Sequence, residues 1–490
     1  MAGGIGASPS PPIEPVVRST VDGVPVFFVE ADGPTVAGLV FRTGIADETV
    51  QTRGVSHLVE HLALASIGEQ HHQHNGTVDL TTTNFAVRGT PEEAADFFRT
   101  VCESLANLPL DRIRLEGRIL RTEASQRSTG VAARMAFYRY GFTGNGLSIL
   151  PEFFLNDPRP EPLVAWAKSR FNRSNCALWI VGTYPGGLSL QLPDGARCPM
   201  PSSTQIPKLP LPSSLPGGND CVAIDYLSPR TSISTTVVRV LMKRLHAEVR
   251  QSKGLTYMVA GERTPLSATQ AENSIWLTCL EEQAARVRAE LMSILDDLAT
   301  SGPQARELAE DLDGFVRHQD DPDARVQDVS YAAQCEITGM EYPGRAGLLE
   351  ERRAVTREDC AAELRASLST SILAAPAAAG KAPPGLAEYP MTCPQVAGEV
   401  FRLRAPKQGA SESLIVGTEG ISRVAPNGTA VTVRWSECVG LALEEDGNLR
   451  LMAGDGFMIR FKPDDWERSA TVVQKVATQV APEQQIGPEI

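Results

Sequence analysis

The chain has 490 residues, 42% of them hydrophobic and 21% charged, which exceeds one compact core and suits about two to four domains. Its formal net charge of −13 excludes the electrostatic footprint of a nucleic-acid binder. No window approaches about 18 uninterrupted apolar residues, so no segment is expected to span a membrane. The opening MAGGIGASPSPPIEP lacks the basic-then-apolar order of a secretory signal. The nine cysteines are scattered, odd in number and never spaced as CxxC, which fits reduced thiols in a cytoplasmic protein.

Two β-rich runs, Val16 to Val21 and Val24 to Val29, flank Asp22-Gly23 and predict a hairpin. A third strand is expected over Val36 to Phe41. Helical patterns follow at 54–66, 91–106 and 111–127, and an apolar strand at Ala177 to Val181. Pro199 to Gly218 carries six prolines and reads as a linker. Beyond it come a strand at Cys221 to Tyr226, a helix over Thr235 to Arg250, strands near Thr256 to Gly261 and Ser274 to Cys279, and a helix over Glu281 to Thr300. This order loosely repeats that of the first segment, as an internal duplication would. A second Ala/Pro linker spans 374–396. In the last segment, short β-like runs from Leu414 to Phe461 are punctuated by Asn427-Gly428, Asp446-Gly447 and Asp455-Gly456 turns. A final helix is expected around Trp466 to Val476, and the segment is faintly like a pleckstrin-homology barrel. The expected fold is α+β: two related halves of helix-covered sheet, at 15–198 and 219–373, then a small β-rich module at 397–490.

The informative string runs from Gly54 to Leu62 and contains His57, Glu60 and His61 in an H-x-x-E-H arrangement. On a helix, histidines four apart project from one face and can reach a single Zn²⁺, with Glu60 placed to reach a water. The pattern at 111–127 puts Glu116 and Glu123 two helical turns apart on one face. One carboxylate would complete a His₂Glu sphere and the other would orient a ligating histidine. His71, His72 and His74 lie in a short polar stretch without surrounding carboxylates and read as a surface loop. No Gly-x-Ser-x-Gly elbow is present, and no cysteine has an obvious histidine partner.

These residues make the first segment similar to the pitrilysin/insulinase family of metallopeptidases. Thr43-Gly44 through Asp47-Glu48 resembles the family's lead-in to H-x-x-E-H. Asn75-Gly76 with Thr83 and Phe85 resembles its Asn-Ala…Thr-x-Tyr strand, and Glu116 to Glu123 its two-glutamate helix. Arg250, Gly254, Leu255 and Tyr257 resemble its Arg-x-x-x-x-Gly-Leu-x-Tyr element. The stretch between His61 and Asn75 is shorter than the family's, and 397–490 has no counterpart.

The resemblance implies a zinc endopeptidase acting on peptides or unfolded polypeptide. His57, His61 and Glu123 would hold Zn²⁺, Glu60 would act as general base, and Glu116 would support a ligand. Asn75, Thr83, Phe85, Arg250 and Tyr257 would bind peptide. Two-half chains of the family pair into a clamshell, which implies a homodimer, or a heterodimer with a related subunit. The alternative is a catalytically silent member serving as a structural or peptide-binding subunit.

Overall fold

The computed structural model describes residues 16–67, 73–126, 129–207, 209–216, 221–318, 321–404, 412–444 and 446–487. His71 and His72 fall outside them. The first half opens with β1 (Val17–Val21) and β2 (Val24–Val29), joined through Asp22-Gly23 as the sequence predicts. There follow β3 (Thr35–Phe41), α1 (Val55–Leu64), β4 (Gln73–Val78), β5 (Thr83–Gly89), α2 (Pro91–Ala106), α3 (Ile113–Gln126), α4 (Val131–Tyr140), α5 (Pro160–Arg170) and β6 (Cys176–Val181). The strands form one sheet in the order β1-β2-β6-β3-β5-β4, so β4 is an edge. The region from Asn75 to Phe85 is therefore two antiparallel strands, Gly76 facing Phe85 across the pair, rather than one.

The second half holds β7 (Ser213–Pro216), β8 (Cys221–Pro229), α6 (Ser232–Arg244), β9 (Val259–Pro265), β10 (Gln270–Thr278), α7 (Ala284–Ser301), α8 (Ala305–Arg317), α9 (Pro322–Thr338), α10 (Gly344–Arg353), α11 (Arg357–Leu368), β11 (Ile372–Ala375) and β12 (Ala387–Glu388). Beyond α6 the helix continues as π-helix over Leu245–Ser252. The expected strand at Thr256 to Gly261 starts later, at Val259, because the Thr256 hydroxyl bonds the carbonyls of Met258 (2.9 Å) and Thr278 (2.6 Å). The sheet order is β12-β7-β11-β8-β10-β9.

Setting aside the edge strands β1 and β12, both sheets have the same plan. The first, fifth, second, fourth and third strands of each half lie side by side, with only the first pair parallel. α1 and α6 occupy equivalent connections. The duplication suggested by element order is thus built into the topology. Each sheet has its own apolar core: Leu39, Leu58, Phe85 and Phe98 among the residues of one, Ile224, Leu241, Leu291 and Leu364 in the other.

The last segment forms a four-stranded meander, β13 (Glu399–Arg402), β14 (Ser413–Val416), β15 (Gly420–Val424) and β16 (Ala430–Arg434). A second sheet follows, β17 (Cys438–Leu443), β18 (Leu449–Ala453) and β19 (Met458–Phe461), with α12 (Ser469–Gln479) and a short β20 (Gln485–Ile486) pairing on β17. Phe401, Leu451, Trp466 and Val472 belong to its buried core. The chain is therefore α+β, two related helix-covered halves and a small β-rich module. No helix among the described residues is long and apolar enough to cross a membrane.

Candidate metal centre

The helix that carries H-x-x-E-H begins at a backbone position that suits glycine, Gly54 at φ 99°. Its free N–H groups are met by Glu48, whose carboxylate accepts from Gly54 N and Ser56 N, both at 2.9 Å. Arg53 Nη1 lies 3.2 Å from the same carboxylate. Burial pushes the Glu48 carboxyl above its usual range, against the pull of Arg53 and the backbone donors. One turn further on, His57 and His61 sit on the same face with ring centroids 5.1 Å apart.

Each histidine is oriented through its Nδ1. His57 Nδ1 lies 3.0 Å from Glu152 Oε1, and His61 Nδ1 lies 3.4 Å from Glu116 Oε2. Glu116 is itself fixed by Arg112 one helical turn earlier, Nη2 to Oε1 2.7 Å. An Nδ1–H donated to a carboxylate leaves the Nε2 lone pair free, and both Nε2 atoms face Glu60 Oε2, at 3.8 and 3.9 Å. Burial and the neighbouring His57 lower the His61 pKa, against Glu116 and Glu123. Ligand atoms of His57, Glu60 and His61 all lie within 4.8 Å of one another, a grouping that can hold a cation. Glu123 stands at the rim, 43% exposed, with Oε2 3.7 Å from His61 Nε2. Four carboxylates (Glu60, Glu116, Glu123 and Glu152) thus converge on two imidazoles, the charge balance a divalent ion would complete.

These side chains line a cavity of about 610 Å³ whose wall on one side is edge strand β4, with Asn75 and Gly76. Gly76 and Glu60 are in intimate contact: a Cβ built at Gly76 would lie 1.8 Å from Glu60 Oε1. Asn75 is among the residues that line this cavity. Thr83 and Phe85 are not: alternation along β5 turns both into the core. The Thr83 hydroxyl donates to Thr43 O at 2.9 Å, and Phe85 is fully buried against Phe41. Arg250 and Tyr257 lie in the second half, outside the cavity lining, with Tyr257 84% exposed just before edge strand β9. Glu48, Arg53 and Glu152 complete the site and had no assigned role in the sequence reading. Glu48 lay within the lead-in motif, while nothing in its spacing marks Glu152.

No family model matches the sequence, and no curated protein matches it. Solved structures do match. A protease from Helicobacter pylori superposes with TM-score 0.62 at 14% identity, over 74% of this chain and 99% of that one. A peptidase M16 inactive domain from Pseudomonas fluorescens gives 0.59 at 15%, over 74% and 97%. The first half of the periplasmic protease PqqL from Escherichia coli gives 0.57 at 14%, over 74% and 92%. The fold is that of the M16 peptidases. Because one such neighbour is an inactive domain, the fold alone does not decide catalysis, and the side chains of the site carry that question.

Proposed function

We propose that the chain is a zinc-dependent endopeptidase of the pitrilysin/insulinase type, acting on peptides or extended polypeptide segments. The observation that carries this reading is the pair of His57 and His61 Nε2 atoms facing Glu60, each ring fixed from behind by Glu152 or Glu116. His57, His61 and Glu123 would hold zinc, which would supply Lewis acidity to the scissile carbonyl and the attacking water. Glu60 takes the proton of that water and returns it to the departing amine. The open edge of β4 at Asn75 and Gly76 offers backbone donors and acceptors to an extended peptide, which would bind as an added strand.

The cavity is lined by residues between Ile45 and Glu152, all from the first half. Arg250 and Tyr257 are not among the lining residues; in this reading they would act on peptide from a second copy of the chain in a homodimer, or from a related subunit in a heterodimer. The scattered spacing of the nine cysteines, with no CxxC pair, favours a cytoplasmic address. The silent-subunit alternative leaves the complete set of Glu60, both histidines and their supporting carboxylates without a use. Native mass spectrometry tests the metal reading: one zinc per chain is expected, lost in His61→Ala. A chain that takes up no zinc would remove the reading.

A further inference from the structure

The β-rich module at 397–490 is not appended at a distance. Val439, Ala442, Met452 and Ile486 on its second sheet form one apolar cluster with Val50, Phe142, Leu147, Leu150 and Phe153 of the first half. Gln51 Nε2 donates to the carbonyls of Val439 (2.7 Å) and Gln484 (3.4 Å). At Gly141 the two backbones touch: a Cβ there would lie 2.3 Å from Gly454 O, and φ is 63°. The seam therefore grips two short stretches, around Val50-Gln51 and from Gly141 to Phe153.

Both stretches lead to His57. Val50 and Gln51 lie between Glu48, which caps α1, and Arg53. The other ends beside Glu152, the carboxylate on His57 Nδ1. Arg53 ties the two together, with Nε donating to Leu147 O at 3.2 Å, its carbonyl accepting from Phe154 N at 3.0 Å, and Nη1 3.5 Å from Glu152. His61, by contrast, is oriented from α3 through Glu116 and Arg112.

We infer that the C-terminal module is a splint for the His57 side of the metal centre, positioning Glu152 and hence the imidazole. The inference rests on the metal reading of the site. Val439 and Met452 lie in the seam and are not among the residues that line the cavity.

A double-mutant cycle on zinc affinity separates positioning from general stability. Glu152→Gln is expected to weaken zinc binding by about 10–100-fold. Gln51→Ala, which removes two seam hydrogen bonds, is expected to weaken it by about threefold to tenfold in the wild type and by less than about twofold in Glu152→Gln. Met452→Ala should repeat this pattern. An equal loss in both backgrounds, no loss in the wild type, or wild-type affinity in Glu152→Gln would overturn the splint. If the wild type takes up no zinc, the metal reading fails separately. The imidazole ¹⁵N shifts of the metal-free protein then decide: Gln51→Ala should move those of His57 and leave those of His61. Movement of both rings, or of neither, would overturn it.

Discussion

At the scale of single residues, the centre is a contest between close packing and reach. Glu60 is 4% exposed and lies where a Gly76 side chain would be. Gly76→Ala must displace the carboxylate or push β4 outward, so it should lower kcat by about tenfold or more while zinc content stays unchanged. Steady-state kinetics on zinc-loaded protein check this, and an unaltered kcat would show that Glu60 works from another position. His57, Glu60 and His61 were legible because their spacing is contiguous and helical, and Glu116 and Glu123 because seven residues are two turns. The placement of Thr83 and Phe85 does not follow from the motif, since a motif gives positions without their faces, and on β5 residues two apart share the core side. Glu152 went unseen because its partner is 95 positions away, with no periodicity to announce it.

At the scale of elements, α3 is an arm that reaches α1 with two acids. Its leverage on His61 depends on Arg112, one turn before Glu116. Arg112→Ala should leave the fold intact and weaken zinc binding by up to about tenfold, through a freed Glu116. Equilibrium competition with a chelator measures this, and unchanged affinity would mean that Glu116 is held by the helix alone. In the first half α1, α2, α3, β1, β2, β3 and β6 are readable from period and turn residues, whereas α4 and α5 are not among the expected helices. β7 and β12 were not, because they lie in the Pro-rich stretches 199–218 and 374–396. Proline there is compatible with strand because β7 starts just after Pro212 and ends at Pro216, near the sheet's outer edge. The stop in α6 and its π-helical continuation leave no sequence signal either.

At the scale of the whole molecule, the two halves are bolted together by Arg139 of α4. Its Nε donates to Asp225 on β8 at 2.7 Å, and it lies 3.5 Å from Glu272 on β10. Burial and Asp225 raise the Glu272 carboxyl well above its ordinary 4.5, against Arg139. A raised folded value means that the folded chain holds this proton more tightly than the unfolded one. The stabilisation is complete below the unfolded pKa and is lost as pH rises through the folded one, at up to about 1.4 kcal/mol per pH unit. Glu272→Gln should flatten that decline in unfolding midpoints measured between about pH 5 and about pH 9. A variant that keeps the wild-type slope would assign it elsewhere. If the clamshell joins the first half of one copy to the second half of another, mixing His57→Ala with Arg250→Ala chains should restore about a quarter of wild-type activity. No restoration on exchange would place both groups in one chain.

In the proposed function, Glu60 drives peptide hydrolysis at a zinc held by this chain. The most direct test is cleavage of a quenched peptide library by wild type and Glu60→Gln at matched zinc content. The account predicts cleavage by the wild type and a fall of about 10²–10⁴-fold or more in the variant, with zinc retained. Equal rates in the two proteins, or zinc bound with no cleavage by the wild type, would contradict it.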